Sequence, residues 1–174
     1  MQNANNFQEY IEHLCRRHVD VRHEKEGIIH FVNMNEQLLN DLESKVGFPV
    51  VMLERDSFRY DGVSGANFKN NEYGLFILDH VSDGNDFDAI ESAFRQCERI
   101  LDELFNQILQ DKHSHGFLRG FNLSADGERI RNVSNTLEGV VAYFVLPEAH
   151  CIKNCRKAFL QDRSFNESFD KTFK

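Results

Sequence analysis

Four cysteines are too few for a disulfide scaffold, so the fold has to be held by a hydrophobic core and the expected compartment is a reducing one. Long apolar runs are missing too. The longest, Val140 through Leu146, has about seven residues, far short of a bilayer-crossing helix. Positive charge is in deficit: 20 Lys and Arg stand against 28 Asp and Glu, a formal net charge of −8. Broad electrostatic binding to nucleic acid or to anionic lipid needs a basic footprint, so neither partner is expected. The segment from Met1 to Tyr10 is rich in Asn and Gln and lacks a charged-then-apolar export signal, which makes the cytoplasm the expected location. The phosphate loop G-x-x-x-x-G-K-[ST], a strand followed by G-x-G-x-x-G, and the elbow G-x-S-x-G are all absent. Missing motifs do not exclude an enzyme, but nothing here recommends one.

What is present is an ordinary globular composition, 41% hydrophobic and 28% charged in 174 residues, long enough for one domain with a core of its own. The acid excess is concentrated in residues 35–104, and residues 147–174 are slightly basic. Such a tail either docks on an acidic neighbour, including another copy of the chain, or is simply solvated.

Phe7, Tyr10, Ile11 and Leu14 follow helical spacing and predict a helix over residues 6–18. Residues 28–32 are β-branched and aromatic, as a strand requires. A second helix is expected to start from an Asn33 or Asn35 cap, to carry Leu38, Leu39, Leu42 and Val46 on one face, and to stop at Gly47 and Pro49. Residues 50–54 form a continuous apolar run, the pattern of a strand buried on both faces, which continues weakly through Phe58 and Tyr60. Residues 61–71, rich in Gly and Asn, predict a long exposed connection to a strand over residues 73–80.

The strongest signal follows. Phe87, Ile90, Phe94, Cys97, Leu101, Leu104 and Ile108 recur at steps of three and four, and Ala93, Ile100, Phe105 and Leu109 widen the stripe. A helix over residues 86–111, capped by Asp83 or Asp86, therefore presents a face broad enough to lie across a sheet. Glu91 with Arg95 and Arg99 with Glu103 are flanking i, i+4 pairs. Cys15 and Cys97 fall inside these helical patterns as small hydrophobes. Phe117, Phe121 and Leu123 alternate like a strand, and Asp126-Gly127 reads as a hairpin turn. Ile130 and Val133 suit a short strand or an extended arm, and residues 139–146 a strand ended by Pro147. Residues 148–160 suit a short helix. The order predicts an α+β two-layer sandwich, with a mixed, mostly antiparallel sheet and helices on one face. It is one domain over residues 1–147 with a helical or flexible extension over 148–174.

Three constellations could carry chemistry. His150, Cys151 and Cys155 offer ligands to zinc, but a closed structural site needs four and no second cysteine pair stands nearby. His113 and His115 could form a ligand pair, or else sit in a solvated loop. Glu54, Asp79 and His80 lie at expected strand ends, where carboxylates can converge on a metal, although no lysine follows to complete a nuclease-like set. Phe165, Phe169 and Phe173 would line one side of a helix, and three such rings need burial on the chain's own body or on a partner. No cofactor is expected.

The leading helix, Phe48-Pro49-Val50-Val51-Met52-Leu53, the long connection, Gly74-Leu75-Phe76-Ile77-Leu78, the long helix and a closing Gly139-x-x-x-Tyr143-Phe144-x-Leu146 together resemble phage tail-terminator and related neck or tail-completion proteins, especially prophage-encoded ones of Bacteroidetes type. The resemblance covers about residues 7–146. It implies an α+β fold, a ring of like subunits at the end of a tail tube, contacts with other virion proteins, location in an assembled particle and no enzymatic activity. The segment after Pro147 has no counterpart in that pattern. The competing expectation is a small metal-binding protein or metal-dependent enzyme using Cys151 and Cys155 or Glu54 and Asp79.

Overall fold

The computed structural model describes residues 3–24, 26–33, 46–63, 66–133 and 136–149. Helix α1 (Asn3–Arg17) is followed by β1 (Ile29–Val32), β2 (Val46–Val63), β3 (Ala66–His80), the long helix α2 (Phe87–Asp111), a 3-10 turn (Gly116–Leu118), β4 (Ala125–Val133) and β5 (Leu137–Ala149). The strands form one sheet in the order β1-β2-β3-β5-β4. β1 runs parallel to β2, and every other neighbouring pair is antiparallel. The two described helices pack on one face, so the expected α+β sandwich is the observed architecture.

The long helix forms where its stripe predicts. Ile90, Ala93, Phe94, Cys97, Ile100, Leu104, Phe105 and Ile108 are buried against the sheet. Each large apolar side chain taken from water contributes about 1.5–3 kcal/mol, which outweighs the helix's modest intrinsic propensity. Asp86 is extended and accepts the Ala89 N–H at 3.0 Å, satisfying one of the free amides of the first turn. Replacing Asp86 with alanine is expected to lower folding stability by about 1 kcal/mol. Urea titration of the two proteins measures it, and an unchanged midpoint would mean that the cap adds nothing to stability. Both flanking ion pairs form, Arg99 to Glu103 at 2.9 Å and Arg95 to Glu91 at 3.4 Å.

On the helix side the core is an aromatic cluster built around Phe144 of β5. Its ring meets Phe7 of α1, Tyr73 of β3, Phe105 of α2 and Phe121, with centroids 5.5–6.0 Å away. A second buried cluster, Val32, Val50, Met52, Leu78 and Leu137, lies apart from the first, with Phe48, Phe76 and Ile130 against it. Alternation along the strands places it on the other face of the sheet. Continuous apolar strands such as residues 50–53 follow from that: both faces are buried.

Several local expectations are corrected. Residues 61–71 are not a long connection, because β2 and β3 pair from Val50 opposite Leu78 out to Val63 opposite Ala66. The paired segment is polar because most of it lies beyond the described helices, and among the described residues no apolar layer faces it. Val46 and Gly47 open β2 and do not end a helix, while Leu38, Leu39 and Leu42 lie outside the described residues. Pro49 falls where the β1–β2 register is irregular, a place that tolerates a missing N–H. Phe117 belongs to the 3-10 turn, and Phe121 and Leu123 to irregular chain; Phe121 is buried because it packs on Phe105 and Phe144. Asp126 and Gly127 lie inside β4, opposite Tyr143 and Ala142, so the reversal comes after Val133. Nor does Pro147 end the last strand. β5 runs to Ala149, and among the described residues its ladder with β4 ends at Phe144, so Pro147 lies where that side of the strand forms no ladder hydrogen bond. The sheet thus continues two residues past the expected boundary at 147, and residues 150–174 lie outside the described residues.

Candidate functional site

The strand register separates the carboxylates expected to converge. Glu54 pairs with Gly74, and Asp79 stands five positions further along β3, about 17 Å away at the usual rise. An odd number of positions also puts the two side chains on opposite faces. His80 is exposed, with its ring 5.8 Å from that of Phe48. Asp79 instead stands directly across from Glu138 of β5. Burial raises the Asp79 carboxyl, against the pull of the His80 amide that it accepts at 2.8 Å. Glu138 is buried, its Oε2 3.6 Å from Arg131 Nε. Burial, with Asp79 and Glu98 nearby, pushes the Cys97 thiol up to about 12, so it is no thiolate nucleophile at neutral pH. Burial holds Cys15 even more firmly protonated.

Among the described residues, one group has ligand atoms close enough together for a cation: His18, Asp20 and Glu103. Their bonds are already committed. His18 Nδ1 accepts the Asp20 amide at 3.2 Å, which leaves Nε2–H to donate to Glu103 at 2.8 Å. Arg99 then bridges the two carboxylates, at 2.8 Å to Asp20 and 2.9 Å to Glu103. A guanidinium occupies the electrostatic position a metal would take. The cluster ties the end of α1 to α2.

A cleft of about 450 Å³ opens between α1 and the end of α2, lined by Glu9, Tyr10, His13, Arg17, Asp111 and His115 among others. Tyr10 donates to Asp111 Oδ2 at 2.9 Å. Burial, then the Asp111 bond, keeps the Tyr10 proton in place. Burial works against ionising Asp111, but hydrogen bonds from Gln107 and Tyr10 bring its carboxyl below the ordinary value. A neutral phenol and an ionised carboxylate held in that way fix an orientation and exchange no proton near neutral pH. His115, in the turn after α2, rests against Tyr10 and Phe117; His113 is exposed.

The remaining feature is a surface. The apolar cluster of the main core ends at Leu53, Tyr73 and Leu146, with Asn71 still buried opposite Leu146, while β2, β3 and β5 continue outward as a three-stranded ribbon. Two residues of β2 oppose one of β3 between Arg55 and Ser57, a bulge that turns Phe58 and Tyr60 to one side. Their rings are 50% and 57% exposed and lie 5.8 Å apart. Lys69 Nζ sits 4.5 Å from the Phe58 centroid and the Arg55 guanidinium 5.6 Å from it. On the outer edge of β2, β1 pairs only as far as Met52, and residues 53–63 have no strand neighbour there among the described residues. In the sequence this surface is hidden, because Phe58 and Tyr60 have the pattern of the fading end of a core strand. The signal that would have found it is the Phe-x-Tyr alternation in a strand that runs beyond the described helices. The other expected site residues, His150, Cys151, Cys155, Phe165, Phe169 and Phe173, lie outside the described residues. No helix among the described residues is long and apolar enough to cross a membrane. No protein-family model and no curated protein matches the chain.

Proposed function

We propose that this protein is a structural assembly subunit, acting through protein–protein contacts with its own copies and with other particle proteins, as a tail-terminator or neck subunit does. One observation carries the reading: the outward ribbon with Phe58 and Tyr60 half exposed under two cations, beside a stretch of β2 edge that has no strand neighbour among the described residues. Aromatic and arginine side chains on a projecting surface are the residue types that dominate binding energy at interfaces. An open strand edge offers backbone hydrogen bonds to an added strand. The acidic balance of the chain suits protein partners better than nucleic acid or membrane.

Light scattering after size exclusion tests the reading. The full chain at tens of micromolar is expected to run as a multiple of its 20.3 kDa mass, with rings visible by electron microscopy. The double substitution Phe58→Asp, Tyr60→Asp is expected to return it to a single copy with its circular dichroism unchanged. A parent chain that is already monomeric, or a double variant of unaltered mass, counts against the proposal.

A further inference from the structure

His23 sits where the chain passes from α1 to β1, and its side chain joins the two. It is 7% exposed, and its own N–H donates to the Cys15 carbonyl at 3.2 Å. Ring Nδ1 accepts two backbone amides at once, from His30 and from Phe31, each at 3.2 Å. Nε2 faces Glu12 Oε1 at 3.6 Å. A nitrogen that accepts two N–H groups carries no proton, so the ring is neutral with its hydrogen on Nε2.

We infer that His23 is an acid-sensitive latch: a proton added at Nδ1 turns the shared acceptor into a donor, expels both amides and frees β1 from the end of α1. The charged and titratable groups facing it are Glu12 and Arg16 from α1 and His30 from β1, with the Phe31 ring 6.0 Å away. Glu12 favours the protonated ring, but it is also bonded to Arg16. Burial first, then Arg16 and His30, oppose the proton, and the ring titrates below its ordinary value. Above about pH 6.5 the ring is neutral whether the chain is folded or not, and the latch is intact. As pH falls below that, the unfolded chain takes a proton that the folded ring resists, so stability declines until the folded ring is protonated too. Since β1 covers the β2 edge near Val46, Val51 and Met52, its release would lengthen the open edge inward from residue 53. The latch goes beyond the assembly reading and stands without it.

Amide hydrogen exchange by NMR on the full chain tests the latch. After correction for intrinsic rates, protection of the His30 and Phe31 amides is expected to drop about tenfold or more between about pH 7.5 and about pH 5. In His23→Asn, whose side-chain oxygen accepts at every pH, protection is expected to stay level. Equal protection in the parent at both pH values, or the same drop in the variant, overturns the inference. If the variant does not fold, ring nitrogen shifts of the parent decide. A His23 midpoint below that of the urea-unfolded chain upholds the latch, and one at or above it removes it.

Discussion

Phe144→Ala is expected to lower folding stability by about 3–5 kcal/mol, read from the midpoint and slope of a urea titration. Phe144 is 3% exposed, and its ring touches α1, α2, the centre of the sheet and the irregular chain before β4. Removing it loses the transfer energy of a buried ring and leaves a cavity among Phe7, Tyr73, Phe105 and Phe121. These neighbours are anchored on different elements and cannot all close inward. Against a typical total of about 5–15 kcal/mol, that loss takes the domain to the edge of unfolding. Phe144→Leu fills much of the space and should cost distinctly less. If alanine and leucine prove equally mild, the ring cluster is not the centre of the core.

The second large effect is expected at Gly139, where β5 runs close against β3. A Cβ there would lie 2.0 Å from the Ile77 carbonyl oxygen and 2.9 Å from Leu78 Cα. Both are backbone atoms in the middle of a sheet, so neither can rotate away. Gly139→Val must push two paired strands apart, and its cost should reach or pass the upper end of the about 1–3 kcal/mol usual for over-packing. Gly84→Ala is the control, with nothing within 4 Å of the added carbon and an expected change within about 0.5 kcal/mol. Circular dichroism melts of the two variants separate the outcomes. A Gly139→Val protein that melts like its parent would mean the strands are not so close.

What could be read from the sequence divides along burial. The long helix was legible almost to the residue, 86–111 against Phe87–Asp111, because its wide apolar stripe answers to a flat neighbour. The central strands were legible for the same reason: Val50, Val51, Met52 and Leu53 are buried, and only a strand with two covered faces needs such a run. The pattern failed where the chain leaves the helices behind. Asn67, Asn70 and Asn71 resemble a loop when judged by composition, yet they are held in register by β2 on one side and β5 on the other. Asp126-Gly127 misled in the opposite direction, since a strand exposed at the sheet margin can carry turn-type residues without turning. The candidate surface was hidden for a related reason: an aromatic residue in a strand pattern does not say whether a described helix lies above it. Glu54 and Asp79 show the converse, two residue types suited to chemistry that strand register keeps apart.

The strand order also bears on how the molecule is made. β5 is the last strand described, yet it lies between β3 and β4, which were synthesised before it. While the ribosome still holds residues 137–149, those two earlier strands face a gap with their hydrogen-bonding groups exposed. The nascent chain therefore passes through a stage in which one edge of β3 and the whole of β4 wait for a keystone, and capture of stray polypeptide competes with completion.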